Sequence, residues 1–375
     1  MKMLYITTFA KSRFGSFAKS SIAAARQLGI EYHIASNETG IDQSIKDQEC
    51  EELGIYHHHI DINRNPSAVA QNRKAYKQIM ELIEEYHFDV IHCNTPMGGV
   101  LGRLCGHKAG VKTVIYQAHG FHFWTGAPLM NWTCYYPTEK FLAHYTDILI
   151  TINKEDKKRA QKFHLKKNGK LVSVPGVGID VEKISTPTIS PEEKRRQLGI
   201  SQDSLVYITV GELIPRKNQS MLIDAFKKAD IANSILLICG KGQEKDNLQK
   251  QIEENGLSEK VKLLGQRTDI YELLQCSDVF LFPSKQEGLP IALMEAMAVG
   301  LPCVAANIRG NNDLLGDNYP FLLNPNDRES WEKSMKDILD VRNEMAELSH
   351  KNIGAFDIEK ATEAMKEIYK SVLER

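Results

Sequence analysis

The sequence predicts an α/β protein made of two similar domains, each a doubly wound parallel sheet covered by helices. Its 375 residues exceed what a single hydrophobic core usually serves. Short apolar runs alternate with amphipathic segments along the whole chain, as is typical of strands joined by helices. The alternation restarts after Pro187, where Ser190 and Pro191 mark the entry of a new helix. We therefore expect a first domain near residues 1–183 and a second near 184–356.

The expected elements follow in order along the chain. In the first half, strands are expected at 3–8, 32–35, 90–93, 112–116, 147–152 and 170–174. Helices are expected between them, near 17–28, 67–86, 99–109 and 137–144. In the second half, strands are expected at 205–210, 234–239, 261–264, 279–282 and 302–306. Residues 358–373 repeat apolar side chains at helical spacing and predict a terminal helix, which either caps the second domain or crosses back onto the first.

Composition excludes several classes of function. The 47 basic and 48 acidic residues nearly balance, which argues against a nucleic-acid partner. No run reaches the roughly 18 to 20 apolar residues of a spanning helix, and the apolar N-terminal run is too short for a signal peptide, so we expect a cytoplasmic protein. Seven dispersed cysteines favour reduced thiols, and the run from His57 to His59 lacks the partners of a metal site, so we expect no metal.

The most informative segment begins directly after the strand expected at 279–282. Glu287 lies on a loop and Glu295 lies eight positions later, inside the helix that Pro290 begins. The backbone amides of Gly288 and Leu289 then lie beside a positive helix end, which suits an anion such as a diphosphate. The two carboxylates are too far apart for an adjacent acid pair, but each could accept hydrogen bonds from hydroxyl groups. A core helix with one exposed glutamate remains the alternative interpretation.

This segment resembles the Glu-x7-Glu signature of retaining, family 4-type glycosyltransferases of the GT-B fold, also described as glycosyl transferases group 1. The resemblance covers essentially the whole chain, and segments 119–123 and 136–140 look most like bacterial capsule and exopolysaccharide enzymes. It implies two Rossmann-like domains facing a central cleft, with residues 357–375 returning to the first domain. The first domain would bind the acceptor and the second the nucleotide sugar.

The candidate site residues follow the predicted strands, where ligands of open α/β sheets bind. His119 follows the strand at 112–116 and could hydrogen-bond a sugar hydroxyl, whereas Arg216 and Lys217 could neutralise a leaving diphosphate. By resemblance, the catalytic residues are His119, Glu287, Arg216 and Lys217. By the same resemblance, the donor-binding residues are Gly15, Ser16, Gly211, Arg216, Lys217, Gly240, Arg267, Glu287, Gly288, Leu289 and Glu295.

The sequence departs from the family pattern at two places. Glu212 stands where many relatives have a phosphate-binding Arg, which Arg216 could replace, and the usual double glycine is reduced to Gly15-Ser16. No Asp-x-Asp triplet occurs, so the basic pair and helix amides would take the place of a metal ion. No cofactor is expected beyond the nucleotide-sugar substrate.

We expect transfer of a hexose or N-acetylhexosamine from a UDP-sugar to a glycan acceptor, with a lipid-linked acceptor favoured. A sugar-nucleotide epimerase and a non-catalytic assembly subunit of the same fold remain the alternatives. The acceptor side is least defined, because one segment of the first domain concentrates apolar bulk that either packs in the core or docks peripherally at the inner face of the cell membrane. Its members are Phe121, Phe123, Trp124, Leu129, Met130, Trp132, Tyr135 and Tyr136.

Overall fold

A computed structural model describes residues 1–9 and 16–374. The predicted turn residue Gly15 lies outside the described residues, and Ser16 is the first residue of a helix. The chain divides into two compact units, one running from Met1 to Gly178 and completed by the C-terminal helix, the other from Ile179 to Asp357. Each unit is built on its own parallel sheet.

The first unit has a seven-stranded sheet in the order β3-β2-β1-β4-β5-β6-β7. Its strands are β1 (Lys2–Phe9), β2 (Glu31–Asn37), β3 (Tyr56–His59), β4 (Val90–Asn94), β5 (Thr113–Ala118), β6 (Ile148–Thr151) and β7 (Lys170–Ser173). Every residue of β4, β5 and β6 is buried, as expected for central parallel strands covered on both faces. The sequence prediction missed β3, because its four residues are polar or half-exposed and form the edge of the sheet.

Helices cover this sheet, and two irregular turns interrupt them between β5 and β6. The helices are α1 (Ser16–Gln27), α2 (Gln43–Leu53), α3 (Val69–Tyr86), α4 (Pro96–Lys108), α5 (Tyr136–Leu142) and α6 (Lys154–Ala160). A π-helical turn, Asn131–Tyr135, leads directly into α5, and a 3-10 turn, Ala143–Tyr145, follows it.

The second unit has a six-stranded sheet in the order β10-β9-β8-β11-β12-β13. Its strands are β8 (Leu205–Val210), β9 (Ser234–Cys239), β10 (Val261–Gly265), β11 (Val279–Phe282), β12 (Cys303–Ala306) and β13 (Leu322–Leu323). Its helices are α7 (Val181–Ser185), α8 (Pro191–Gln197), α9 (Gln219–Ala229), α10 (Lys245–Glu254), α11 (Ile270–Gln275), α12 (Ile291–Val299), α13 (Asn311–Leu315), α14 (Arg328–Asp340) and α15 (Arg342–Ile353). In both sheets the first strand lies inside and the order reverses beside it, which is the doubly wound pattern that the sequence predicts.

The C-terminal helix, α16 (Ile358–Leu373), packs against α1 in the first unit. Its inner side buries Met365, Tyr369 and Val372. The Tyr369 hydroxyl and His92 Nδ1 are hydrogen-bonded at 2.7 Å, so the helix is joined to the middle of β4 by a buried polar contact.

Candidate active site

The strand order of the second unit reverses between β8 and β11, so the loops after these strands lie side by side. The loop after β8 supplies Arg216 and Lys217 from a 3-10 turn, Pro215–Lys217. The loop after β11 supplies Glu287, ahead of α12. Crevices at such reversal points are the usual ligand sites of open α/β sheets.

The structure brings these three charged residues together. Lys217 Nζ lies 2.7 Å from Glu287 Oε1, and Arg216 Nη1 lies 3.1 Å from the same oxygen. The buried Ser284 hydroxyl also donates to that carboxylate. Two cations thus converge on one largely buried carboxylate, and the cluster has a positive excess that an anionic ligand can share.

Backbone contacts hold the cation-bearing turn against the loop after β11. The Lys285 amide donates to the Arg216 carbonyl at 2.8 Å, and Arg216 Nη1 donates to the Gln286 carbonyl at 2.7 Å. Asn218 ends the turn with a left-handed φ of 63°, and its side-chain Nδ2 donates to the Pro325 carbonyl at 2.8 Å. The positions of both cations are therefore set by the fold.

Glu295 lies on α12, and its surroundings differ from those of Glu287. Its side chain is partly buried, and within residues 1–9 and 16–374 it has no hydrogen bond or ion pair. Burial raises the pKa of this carboxyl from 4.5 to about 7. Partly buried carboxylates normally have partners, so Glu295 has unused capacity to accept hydrogen bonds.

Arg309 and Gly310 support the loop that contains Glu287, and sequence reasoning missed both. Arg309 is buried, and its Nε donates to the Glu287 carbonyl at 2.9 Å. Gly310 has φ of 82°, and a Cβ there would lie 2.5 Å from the Gly288 carbonyl oxygen. Both follow β12, at the same edge of the sheet as the other site loops. Their position after a strand is the one signal by which they could have been found.

The glycines after β9 bring two loops into close contact. A Cβ on Gly240 would lie 1.8 Å from the carbonyl oxygen of Gly211, and one on Gly242 would lie 2.3 Å from that of Leu213. Backbone packing alone therefore requires glycine at both positions. A Cβ on Gly211 would lie 3.4 Å from Cδ of the Lys217 side chain, which is the nearest atom to it.

Arg267 lies in the turn after β10, and its side chain is already engaged. Arg267 Nε and Nη2 lie 2.7 and 2.5 Å from the two carboxylate oxygens of Asp269. Lys194 contacts the same carboxylate, and the hydrogen bond from Arg267, followed by that from Lys194, holds the pKa of Asp269 well below its usual value. The backbone of this turn, which the sequence prediction assigns to the nucleobase, is thereby fixed.

His119, in the first unit, directly follows β5. Its Nε2–H donates to Asn94 Oδ1 at 2.8 Å, at the end of the adjacent strand β4. Burial lowers the pKa of the imidazole from 6.5 to about 4, so it is neutral near pH 7. His119 can therefore act through hydrogen bonds rather than through a full positive charge.

The apolar segment after His119 divides between the two interpretations left open by the sequence. Phe121 and Phe123 are buried, with ring centroids 4.8 Å apart, and Tyr136 meets Phe123 edge-on. Leu129 and Met130, by contrast, are exposed. The segment thus has a core side and a solvent side.

Sequence comparisons match both units. The family described as Glycosyl transferases group 1 matches residues 190–353, and that described as Glycosyl transferase 4-like matches residues 9–153. The putative glycosyltransferase EpsD of Bacillus subtilis (strain 168) is 33% identical over 93% of this chain and 91% of its own length. The chain belongs to the group 1 glycosyltransferase family.

A second family member is similar over most of its length. The UDP-Gal:alpha-D-GlcNAc-diphosphoundecaprenol alpha-1,3-galactosyltransferase of Escherichia coli is 32% identical over 82% of this chain and 81% of its own length. Among solved structures, Anabaena Alr3699/HepE in complex with UDP and glucose superposes with a TM-score of 0.79 at 20% identity, covering 99% of this chain and 100% of the other. The protein is thus a glycosyltransferase with the GT-B fold.

Within the described part of the chain, no helix combines the length and the apolar character needed to cross a membrane.

Proposed function

We propose that this enzyme is a retaining, metal-independent glycosyltransferase that moves a hexose or N-acetylhexosamine from a UDP-sugar to a lipid-linked glycan. The observation behind the proposal is the cluster of Arg216, Lys217 and Glu287 at the strand-order reversal of the second unit. Negative charge develops on a nucleoside diphosphate as it departs, and positive groups stabilise that charge. Arg216 and Lys217, whose positions are set by the fold, supply two such groups. In this proposal the second unit binds the donor and the first binds the acceptor.

Each residue of the proposed donor site has a separate role in binding the nucleotide sugar. Arg216 and Lys217 bind the diphosphate, with the amides of Gly288 and Leu289 at the start of α12 adding hydrogen bonds. Glu287 faces the transferred sugar, and Glu295, which has no partner in the described chain, accepts hydrogen bonds from the ribose hydroxyls. The turns that contain Gly240 and Arg267 form the wall beside the base. His119 accepts or donates a hydrogen bond to the sugar.

The proposed reaction takes place on one face of the sugar. The bond from the anomeric carbon to the β-phosphate oxygen breaks, and its electron pair stays on the phosphate. The acceptor hydroxyl oxygen bonds to the same face of that carbon, and its proton passes to the departing phosphate oxygen. Configuration is retained, and the cation pair stabilises the charge that develops on the leaving group.

Two findings support the choice of substrates. UDP is present in the HepE complexes, and the E. coli relative is named for a UDP-galactose donor and a diphosphoundecaprenol-linked acceptor. CapH, a capsular polysaccharide biosynthesis glycosyltransferase of Staphylococcus aureus to which this chain is also similar, favours a place in surface polysaccharide assembly. A lipid-linked acceptor implies work at the inner face of the cell membrane, on the cytoplasmic side.

The test is calorimetric titration of UDP with and without a chelator, on the wild type and on Lys217→Gln. Removal of a charged hydrogen-bond donor should weaken UDP binding by about 10- to 100-fold. Lys228→Gln, an exposed lysine on α9 in the same unit, is the matched control and should stay within about twofold. Chelator-sensitive binding would overturn metal independence, and equal affinity of both variants would overturn the diphosphate site.

An acceptor assay completes the test. UDP should be released from the UDP-sugar at a rate that depends on added lipid-linked glycan, and the product linkage should keep the anomeric configuration of the donor. Acceptor-independent turnover would favour the epimerase alternative. No nucleotide binding at all would favour the assembly-subunit alternative.

A further inference from the structure

One surface of the first unit presents large apolar side chains to solvent. Leu129 is 78% exposed, Met130 is 65% exposed and Phe141 is 57% exposed. All three lie on or beside one continuous helical segment, formed by the π-helical turn Asn131–Tyr135 and α5. Clustered apolar side chains of this size on a surface generally mark an interaction site.

These side chains form a stripe along the segment. Met130, Cys134, Pro137 and Phe141 recur at intervals of three or four residues, and all four are exposed. Residues at this spacing lie on the same side of a helix. We call this solvent-facing row, together with Leu129, the apolar stripe.

The opposite side of the segment is anchored in the core. The Glu139 carboxylate lies 2.8 Å from Arg103 Nη1 and 3.1 Å from the Tyr116 hydroxyl, all within the first unit. The Arg103 guanidinium also lies 3.8 Å from the centroid of the Tyr116 ring. This buried ion pair fixes the rotation of α5 about its axis, so the apolar stripe faces solvent.

Basic residues lie on the stretch of chain that packs beside this helical segment. The Arg159 guanidinium lies 4.6 Å from the Trp132 ring, and the His144 and His164 rings are stacked 6.3 Å apart, so the run 154–170 contacts the segment near its beginning and just after its end. Basic residues greatly outnumber acidic ones in this run, although the whole chain has a net charge of only −1. Lys158 and Lys162 are exposed, and no ion pair holds either of them in the part of the chain that the structure describes. We call them the basic rim.

We propose that the apolar stripe and the basic rim form a docking surface for an anionic lipid bilayer. Leu129, Met130 and Phe141 enter the interfacial layer, and Lys158 and Lys162 remain at the level of the lipid phosphates. Charge complementarity selects this partner, because the surplus of positive charge is local to the edge of an apolar surface. The inference deepens the proposed function by adding the membrane in which a lipid-linked acceptor resides, but its evidence is independent of the donor site.

The test is sedimentation of the full-length protein with vesicles of phosphatidylcholine alone or mixed with phosphatidylglycerol. The wild type should bind the anionic vesicles, and binding should fall with added salt. Leu129→Ser/Met130→Ser/Phe141→Ser should lower the partition coefficient by at least about tenfold. Lys158→Gln/Lys162→Gln should lower it by about 30-fold on anionic vesicles, and should have little effect on neutral ones.

Helix α3 of the same unit provides matched controls. Val69, which is 68% exposed, matches Met130, and the exposed pair Arg73 and Lys77 matches the basic rim. Val69→Ser and Arg73→Gln/Lys77→Gln should bind vesicles like the wild type. The inference is wrong if the wild type does not bind anionic vesicles. It is also wrong if the control variants lose as much vesicle binding as the stripe and rim variants.

UDP titration of the same variants separates this inference from the proposed function. Stripe and rim variants should bind UDP like the wild type, which also shows that they are folded. Normal UDP binding without vesicle binding would overturn the docking surface and leave the donor site intact. If the stripe variant still binds vesicles, another surface of the protein binds the lipid, and the inference is also wrong.

Discussion

Glu295→Gln tests the electrostatics of the proposed donor site most directly. The pKa of this carboxyl rises from 4.5 to about 7 on folding, because burial penalises its charged form. The folded protein therefore binds this proton more tightly than the unfolded chain, and stability is lost as the pH rises through about 7. The full difference between the two pKa values corresponds to about 3 kcal/mol. Glutamine keeps the shape of the side chain but cannot ionise, so the variant avoids this loss.

The expected result depends on pH in a defined way. At about pH 8 the Glu295→Gln variant should be more stable than the wild type by about 3 kcal/mol, and at about pH 5 by less than about 1 kcal/mol. Urea unfolding can be followed at each pH by intrinsic fluorescence, to which the buried Trp331 of the same unit contributes. The exposed Glu259 is a matched control, and Glu259→Gln should change the free energy of unfolding by less than about 0.5 kcal/mol at either pH.

Ligand binding should move in the opposite direction. At about pH 8 the Glu295→Gln variant should bind UDP more weakly by about 1 to 3 kcal/mol, because an ionised acceptor of ribose hydroxyls is lost. The variant would then be more stable but a poorer binder, as is common where a site stores unfavourable charge. A variant no more stable than the wild type at pH 8 would refute the argument from burial, and unchanged UDP affinity would refute the assigned contact.

Three further substitutions test the supports of the fold and the site. Gly240→Ala should lower the free energy of unfolding in urea by more than about 3 kcal/mol, because its Cβ would overlap a backbone carbonyl oxygen; Gly256→Ala, in open space at φ of 67°, should cost only about 1 kcal/mol. Tyr369→Phe should cost about 1 to 3 kcal/mol by leaving buried His92 without its partner, and a loss below 0.5 kcal/mol on the urea curve would contradict that contact. Arg309→Ala should weaken UDP binding by about tenfold in calorimetry through the loop after β11, and wild-type affinity would show that the loop keeps its shape unaided.

Sequence reasoning recovered the elements whose side chains are mostly apolar. The runs at β4, β8 and β11 are buried on both faces, so their hydrophobicity alone predicts central strands. It missed β3, whose polar residues give an edge strand no apolar pattern, and β13, which is only two residues long. Strand existence was therefore predictable where burial dictates the residue type.

The candidate site was predictable in part for a related reason. Arg216 and Lys217 stand out because adjacent cations follow a strand, and the structure brings them to Glu287, about 70 residues away. Nothing in the sequence indicates that Arg309 holds the loop of Glu287, because one side-chain nitrogen meets one backbone oxygen across 22 positions. The surroundings of Glu295 could not be predicted either, since its lack of a partner among the described residues depends on the fold around it.

The placement of α16 has a consequence for biosynthesis. The first unit is interrupted in sequence by the entire second unit, and α16, which completes the first unit, is synthesised only after residues 179–357. During translation, α16 is absent while residues 179–357 are made. The surface of α1 that packs against α16, and the His92 ring on β4, therefore stay without this cover until α16 is synthesised. All elements of the second unit, which is continuous in sequence, are made before α16, so this unit can fold before the first unit is complete. A nascent chain stopped before residue 358 therefore contains every strand of both sheets but lacks the one helix that covers α1 and His92 in the first unit.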